Sequence, residues 1–475
     1  MIDFVKKFLP FFLIFLIIIV NGFRLFQLDK VPLGYNIDEY STAVTVRCFA
    51  LEGLNCWGEK AGLFLHVGYG TPRPPTYMWP VALWAKVFGT TVPSLRAFTA
   101  LGVIFGIVGI FFLGRRVGGL TCGLWSALAA SLSPIVFVCS RLGLESIFGA
   151  VFFGWGLFFL LKAQSKVNMG ASAAFIGLSL YSYPPERLFI PLFLMVFFVL
   201  CRGWRYGFLP WVVFFLVLVL ITLPLILGIV SGELQTRFNQ ISIFGQAQGE
   251  ALSPLWMKNV WSLFINNLGL HLSWEFLFRK GGLLVHSTGR NGLFSWLDYA
   301  GWGFGLFLLL WRRWYKKDRG AFQGQEGIIL LCIAGFFLSL IPASLTNHDI
   351  PNALRTSVHW PVVSLLTGVL ISQAEKWWPW LAAVALAVAV LFSVDFLYDF
   401  FKKYPDRSKG MFEFWVLKHA QQLKTTQDWN QFLVRYRMKD FHTRYYLMKD
   451  RGLSCGESFE VWKFIYNMMG KGRGY

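Results

Sequence analysis

The chain has 475 residues, of which 56% are hydrophobic and only 15% are charged, and its formal net charge is +19. Soluble domains carry about 25% charged residues, so this composition excludes an ordinary soluble protein. Continuous apolar runs of about 20 residues match the hydrocarbon thickness of a bilayer and exclude the short alternating strands of a β-barrel; they predict an all-α polytopic membrane protein.

The first apolar run, from Phe8 to about Phe26, follows two lysines, Lys6 and Lys7. A secretory signal peptide begins in the same way, but no small-x-small cleavage site follows this run. The sequence therefore predicts an uncleaved anchor with its N-terminus in the cytoplasm.

About eleven membrane spans are predicted along the chain. Their short loops alternate in Lys and Arg content, and the basic loops identify the cytoplasmic side. The predicted spans lie near residues 8–26, 96–114, 118–138, 146–162, 169–181, 188–201, 208–230, 293–311, 326–343, 356–373 and 378–399.

Two long loops are predicted on the extracytoplasmic side, at residues 27–95 and 231–292. Within the first loop, the segment from Tyr77 to Phe88 is apolar but short, and Lys86 interrupts it. These features predict an interfacial helix that lies on the membrane rather than a further span.

Two domains are predicted, a membrane module of residues 1–400 and a polar appendage of residues 401–475. The appendage has 15 Lys and Arg residues against 7 Asp and Glu residues. An odd number of spans places it outside the cell, and an even number, which the sequence leaves open, places it inside. Its charge suits anionic lipid headgroups, and since no nucleic-acid motif accompanies it, no nucleic-acid partner is predicted.

The cysteines give one open alternative. Cys48 and Cys56 both lie in the first long loop, and an oxidising compartment permits a disulfide between them. The sequence does not decide whether they are bonded. No Cys or His spacing is typical of a zinc site.

Charged and polar residues collect at the outer ends of the predicted spans, where they usually face a cavity or a partner. Asp38 and Glu39 stand out, because adjacent side chains on a helix point in different directions and only one need enter a cavity. Arg141 and Glu145, four residues apart, form either a helical ion pair or part of the same cavity. The other candidates, each of which also allows a purely structural role, are Arg73, Tyr183, Arg187, His286, Arg290, His348 and Arg355.

The order of these segments resembles that of a known family. An Asp-Glu pair follows the first span, Arg73-Pro74-Pro75 precedes the interfacial helix, and then come Ser140 to Glu145, Tyr181-Ser182-Tyr183 to Arg187, and Leu354-Arg355. Over about residues 1–400 the chain is similar to bacterial members of the protein O-mannosyltransferase and aminoarabinose transferase group, which are GT-C glycosyltransferases.

The resemblance implies the GT-C fold and an inverting sugar transfer at the extracytoplasmic face of the bacterial inner (plasma) membrane. The donor is a sugar on a polyprenyl-phosphate carrier in the bilayer, and the acceptor is a hydroxyl of a protein, a glycan or a lipid. The resemblance assigns the general base to Asp38, a contact with the acceptor or its surroundings to Glu39, and a second acidic position to Glu145.

Elementary chemistry agrees with these roles. A carboxylate within hydrogen-bonding reach can take the proton of the acceptor hydroxyl. The leaving lipid phosphate needs basic groups aimed at its growing charge, and the candidates for this are Arg187, Arg290 and Arg355. The remaining substrate-binding candidates are Arg73, Arg141, Tyr183, His286 and His348.

The need for a metal is left open, because Asp38, Glu39 and Glu145 are hard oxygen ligands that can hold Mg²⁺ or Mn²⁺; no other cofactor is expected. The alternative function is that of a multi-span transporter or lipid flippase. Transporters place their polar groups near the bilayer midplane and often contain inverted repeats, and neither feature is evident here. A structural or receptor-like membrane protein, for example a relative of the enzymes without activity, is a third alternative.

Overall fold

The structure, a computed structural model, is built almost entirely of helices in its described part. The described residues are 2–66, 72–162, 165–201, 203–232, 234, 241–245, 251, 253–314, 325–413, 445, 448 and 452–458. Within them, the all-helical prediction is confirmed.

The α-helices are numbered in chain order. They are α1 (Ile2–Leu25), α2 (Ile37–Glu52), α3 (Pro75–Phe88), α4 (Val92–Leu132), α5 (Pro134–Ser140), α6 (Phe148–Leu161), α7 (Lys166–Ser182), α8 (Glu186–Leu200), α9 (Phe208–Val230), α10 (Pro254–His271), α11 (Trp296–Trp314), α12 (Glu326–Ser344), α13 (Trp360–Trp377), α14 (Trp380–Tyr398) and α15 (Tyr404–Ser408). Short 3₁₀ turns lie at Gly203–Tyr206, Ile243–Gly245 and Ser357–His359, and π-helical turns at Glu275–Arg279 and Asp399–Lys403. One small antiparallel hairpin pairs β1 (Leu65–His66) with β2 (Pro72–Arg73).

Six helical segments of the described chain are long and apolar enough to cross a membrane. They are Lys7–Leu25, Val92–Leu132, Phe208–Val230, Glu326–Ser344, Ser357–Trp377 and Trp380–Ser408, and Phe148–Leu161 is apolar but shorter. The protein is therefore an integral membrane protein. The number of eleven spans stays a prediction.

One glycine and one proline mark breaks in the helix in the region of the second and third predicted spans. Helix α4 runs for 41 residues, but Gly119 interrupts its helical geometry with φ at 87°, a conformation that glycine adopts at little cost. A second break follows, since α4 ends at Leu132 and α5 begins at Pro134, where proline suits a first helical turn. The apolar stretch is thus divided into three helical pieces.

The chain forms two compact units. The first comprises Met1–Phe26, Ala100–Ser140 and Ser146–Phe400, and the second Gln27–Thr99, Arg141–Glu145 and Phe401–Tyr475. In the first unit, Phe153 of α6 packs edge-on against Phe189 and Phe193 of α8, with ring centroids 5.1 and 5.0 Å away. The predicted domain boundary near residue 400 stays a prediction.

In the second unit, helix α2 begins with a capping box, the arrangement in which a cap residue and the third helical residue satisfy each other's backbone groups. The Asn36 side chain accepts a hydrogen bond from the backbone N–H of Asp38, and the Glu39 carboxylate accepts one from the backbone N–H of Asn36, both at 2.9 Å. The helix ends at Gly53, whose φ is 69°. The acidic pair is thereby fixed in the first turn of α2.

A helix, α3, lies where the interfacial helix is predicted; its position at the membrane surface stays a prediction. It has 14 residues, begins at a Pro-Pro step and carries Lys86 in its last turn. It is not among the six helical segments that are long enough to span a bilayer, as the sequence predicts.

A disulfide joins Cys48 of α2 to Cys455, with 5.3 Å between their Cα atoms. The alternative of a bond between Cys48 and Cys56 was wrong, and Cys56 is buried. The bonded residues are 407 positions apart, and sequence spacing alone does not determine disulfide connectivity.

Candidate active site

Both carboxylate oxygens of Glu39 accept hydrogen bonds from residues of the second unit. Its carboxylate accepts hydrogen bonds from Nε and Nη2 of Arg96 at 2.7 and 2.8 Å and from the backbone N–H of Gly143 at 3.0 Å. Both side chains of the ion pair have no exposed surface. Arg96 also donates to the carbonyls of Leu28, Pro32 and Gly34.

These contacts change the interpretation of Glu39. A buried ion pair is tolerable when hydrogen bonds satisfy every charged atom, and both Glu39 oxygens are used in this way. These contacts give Glu39 a structural role, because its carboxylate holds the first loop together. Its contact with the acceptor or the surroundings of the acceptor stays a prediction.

Asp38, the neighbouring residue, has the opposite environment. Its side chain is 51% exposed, and its carboxylate accepts a hydrogen bond from Nη2 of Arg73 at 3.1 Å. The other terminal nitrogen of Arg73 donates to Glu145, so one guanidinium bridges two carboxylates. Burial alone lowers the pKa of Arg73, but the charges of Glu145 and Asp38 outweigh burial and hold that pKa above its usual value.

Glu145 pairs with Arg73 and not with Arg141, because residues 141–145 form a bend rather than a helix. Its second oxygen, Oε2, is buried and has no hydrogen-bond partner among the described residues. A buried acceptor without a partner is costly, so Glu145 Oε2 is placed to accept a hydrogen bond from a ligand.

Arg141 is fully buried, in contrast to its predicted role in substrate binding. Its Nη2 donates to the carbonyls of Gln27 and Val31 at 3.1 and 2.8 Å, and its guanidinium lies 5.1 Å from the centre of the Phe401 ring. The guanidinium thus anchors the start of the first loop, and its role in substrate binding stays a prediction.

In the first unit, Arg355 is buried, with 7% of the residue exposed. It donates to Oγ1 of Thr346 at 2.8 Å and to the carbonyl of His348, and the Asn352 side chain accepts from its backbone N–H. No carboxylate lies within ion-pairing distance of Arg355 in the described parts of the chain. A buried cation without a countercharge is a candidate anion site.

Two residues that the sequence analysis missed hold the Arg355 loop. Asn267 of α10 donates to the carbonyls of Ser344 and Thr346 at 3.2 and 2.7 Å. One turn later, His271 accepts from the backbone N–H of Asn352 through Nε2 at 3.2 Å. The only signal in the sequence is the four-residue spacing, which places both side chains on one helix face.

The hydrogen bonds of His271 indicate which of its ring nitrogens carries the hydrogen. Because Nε2 accepts, Nδ1 carries the hydrogen and donates to the carbonyl of Asn267 at 2.8 Å. The pKa of His271 is lowered to about 4, because burial and, to a smaller degree, the charge of Arg355 outweigh the opposing hydrogen bond to the Asn267 carbonyl. The imidazole is neutral at physiological pH.

Arg290 and His348, two further candidates, are paired with carboxylates. Arg290 lies 2.8 Å from Asp395 and 3.6 Å from Asp399, and its side chain is 46% exposed. His348 Nδ1 lies 2.8 Å from the carboxylate of Asp349. These pairs explain both residues structurally and make Arg290 a weaker phosphate candidate than Arg355.

The remaining candidates lie in the first unit, where Arg187 is in the first turn of α8. Arg187 donates from Nε to the carbonyl of Leu180 at 3.3 Å. Tyr183 ends α7 in an extended conformation and packs against a hydrophobic cluster. His286 lies in a turn, where its backbone N–H donates to the carbonyl of Leu283 at 2.9 Å.

The structure thus groups the candidates in two sets. Asp38, Glu39, Arg73, Arg141 and Glu145 belong to the second unit, and Tyr183, Arg187, His286, Arg290, His348 and Arg355 belong to the first. Within the described residues, no group of three or more His, Cys, Asp or Glu side chains is arranged to hold a metal ion.

Comparison with known proteins adds a family and a fold. Residues 72–227 match the family described as dolichyl-phosphate-mannose-protein mannosyltransferase. No curated protein matches the chain in sequence.

Two solved proteins share the architecture. ArnT from Cupriavidus metallidurans in the apo state is 15% identical over 87% of this chain and 81% of ArnT, with a TM-score of 0.53; bound to undecaprenyl phosphate it is 16% identical with a TM-score of 0.51. The Archaeoglobus fulgidus oligosaccharyltransferase, in complex with Zn and sulfate, is 16% identical over 88% of this chain and 56% of that enzyme, with a TM-score of 0.51.

At these identities the likeness to the solved structures is one of fold. It extends far beyond residues 72–227, since most of the chain is covered by both comparisons. The resemblance indicated by the sequence motifs is confirmed: the chain has the GT-C glycosyltransferase fold, and its residues 72–227 match the mannosyltransferase family.

Proposed function

We propose that the protein is a membrane glycosyltransferase that moves a sugar from a polyprenyl-phosphate carrier to an acceptor hydroxyl, with inversion at the anomeric carbon. The observation that carries this proposal is the Asp38 carboxylate. It is exposed, sits in the capped first turn of α2, and is held by Arg73 beside the buried Glu145.

Asp38 is the general base of the proposed reaction. It takes the proton of the acceptor hydroxyl while the oxygen attacks the anomeric carbon, from the side opposite the departing phosphate. The Arg73 hydrogen bond orients the carboxylate. Glu145 Oε2, with no protein partner among the described residues, is available for a hydroxyl of the sugar or acceptor.

Arg355 is the proposed phosphate-binding residue. Bond cleavage places negative charge on the leaving lipid phosphate, and a fixed cation stabilises that charge most effectively in a site shielded from water. Arg355 is buried and has no carboxylate partner within the described residues. The choice of a lipid-linked donor is supported by ArnT, whose structure holds undecaprenyl phosphate.

The reaction is proposed to take place on the extracytoplasmic face of the bacterial inner membrane, with the N-terminus in the cytoplasm. The Cys48–Cys455 disulfide supports this orientation, because disulfides persist in oxidising compartments and are rare in the cytosol. The bond also supports placing the C-terminal segment on the same side as the first loop.

The two carboxylates next to Arg73 do not suit a shared divalent ion. The guanidinium of Arg73 already bridges Asp38 and Glu145, and its positive charge repels a metal cation placed between them. The proposed mechanism therefore uses the side chains alone.

One assay tests the proposal. The purified protein is incubated with radiolabelled sugars on undecaprenyl phosphate and with a bacterial membrane extract, and the products are separated by class. Label is expected to pass from the donor lipid to a protein, glycan or lipid acceptor. In a parallel experiment, the protein is reconstituted into lipid bilayers. If the labelled donor crosses these bilayers and no acceptor becomes labelled, the protein is a flippase and the proposal is overturned.

A further inference from the structure

The C-terminal segment contacts helix α2 at both of its ends. At the C-terminal end, Cys455 is bonded to Cys48, and the backbone N–H of Cys455 donates to Oε1 of Glu52 at 2.7 Å. A covalent bond and a charge-assisted hydrogen bond thus fix this segment to the last turn and a half of the helix.

At the N-terminal end of α2, the contact is aromatic. Tyr445 is buried, with 5% of the residue exposed, and its ring centroid lies 5.3 Å from that of Tyr40 and 6.4 Å from that of Tyr35. Tyr35 and Tyr40 also pack against each other at 5.5 Å. Tilted aromatic groups at these distances stabilise one another beyond simple burial, and Tyr445 closes the cluster.

This cluster lies directly beside the catalytic position. Tyr35 covers the guanidinium of Arg96 at 5.2 Å, and Arg96 holds Glu39, the residue after Asp38. Asp38 itself is half exposed, so packing of its own side chain does not fix it. The position of its carboxylate depends on the position of the α2 backbone.

We propose that the C-terminal segment is a positioning element of the active site: Cys455 and Tyr445 brace the two ends of α2 and thereby hold Asp38 in place. This inference rests on the proposed role of Asp38 as the base. Displacing a reacting group by about 1 Å can cost about a hundredfold in rate, so a brace on α2 acts on turnover. Substrate binding by residues outside α2 does not depend on it.

The test opens the disulfide in the folded enzyme. Wild-type protein, oxidised or reduced with a membrane-compatible thiol and then alkylated, is compared with C48S/C455S and with C139S, which removes a buried cysteine of the first unit and leaves the disulfide intact. In reduced wild type and in C48S/C455S, kcat is expected to fall about tenfold to a hundredfold, with the KM for donor lipid unchanged. Reductant should not change the kcat of C48S/C455S, and it should not change the donor KM of any form. C139S should respond to reductant as wild type does.

Tyr445 provides a second route that leaves the disulfide in place. Y445A removes the ring that packs on Tyr35 and Tyr40, and kcat is expected to fall with the donor KM unchanged. Y445F keeps the ring and is expected to restore most of the turnover. A loss of equal size in both variants would show that the ring contact is not the cause.

Hydrogen exchange gives a readout that does not need activity. Reduction is expected to speed exchange of the α2 amides and leave those of the buried helix α13 unchanged. Reduced wild type that keeps both full kcat and full α2 protection would overturn the inference, as would lost protection with unchanged kcat. If oxidised wild type transfers no sugar at all, the proposed function fails, and the exchange of α2 alone decides whether the segment braces the helix.

Discussion

The groups around Asp38 and those around Arg355 differ in the sign of their net charge. Around Asp38, three carboxylates meet two guanidiniums, those of Arg73 and Arg96, so a negative charge remains. Around Arg355, a buried guanidinium donates to a hydroxyl and a carbonyl group, with no carboxylate partner among the described residues.

The difference matches the two separate roles that the proposed function gives to Asp38 and to Arg355. A site with surplus carboxylate suits the removal of a proton, and a site with an uncompensated cation suits the binding of an anion. A lipid-phosphate sugar transfer needs both. Mutations that change one region and spare the other therefore test the assignment directly.

The largest effect is expected at Asp38. D38N keeps the size of the side chain but removes the base, so kcat is expected to fall by about 10² to 10⁴ while binding of the donor lipid is unchanged. D406N is the matched control, because Asp406 belongs to the same unit and its side chain is 78% exposed. Steady-state kinetics with labelled donor measures both variants, and full activity in D38N removes the base assignment.

Glu39, next in the chain, is expected to affect stability instead. E39Q leaves Arg96 as an uncompensated buried cation, which costs about 3 to 5 kcal/mol of the free energy of unfolding. E275Q breaks an exposed pair with Arg279 and is expected to cost far less. Thermal unfolding in detergent compares the two, and equal losses would show that the buried pair has no special weight.

Arg355 sharpens the comparison from the other region. R355A is expected to lower kcat by about 10² to 10³, the usual cost of removing a group that stabilises developing charge. R290A, which only frees Asp395 and Asp399 from an exposed cation, is expected to leave turnover within about twofold. The reverse ranking would move the phosphate site to Arg290.

Much of the fold could be predicted from the sequence because hydrophobicity and capping are local properties. The anchor, the interfacial helix and several spans follow from runs of adjacent residues, and α1 and α3 lie where those runs predict. The different fates of Asp38 and Glu39 also follow from helix geometry, which turns adjacent side chains apart.

The partners of the candidate residues could not be predicted in this way. Arg96 lies 57 positions from Glu39, and the four-residue spacing of Arg141 and Glu145 favoured an ion pair on a helix that does not form. The disulfide partner of Cys48 lies 407 positions away. Such pairings depend on tertiary packing, which periodicity along the sequence does not encode.

The smallest expected effect is the pH dependence that His271 gives to the free energy of unfolding. Its pKa is lowered to about 4 by burial, against about 6.5 in an unfolded chain. The folded state therefore binds fewer protons, so His271 contributes fully to the free energy of unfolding above pH 6.5. That contribution declines as pH falls from 6.5 towards 4, by at most about 3 kcal/mol.

H271Q keeps an acceptor for the Asn352 backbone N–H but does not titrate. The melting temperature of wild type is expected to fall relative to that of H271Q between pH 7 and pH 4.5. If H271Q and wild type lose stability in parallel over that range, His271 does not stabilise the Arg355 loop as a neutral hydrogen-bond acceptor. The hydrogen bonds of Asn267 to the Ser344 and Thr346 carbonyls must then stabilise the loop.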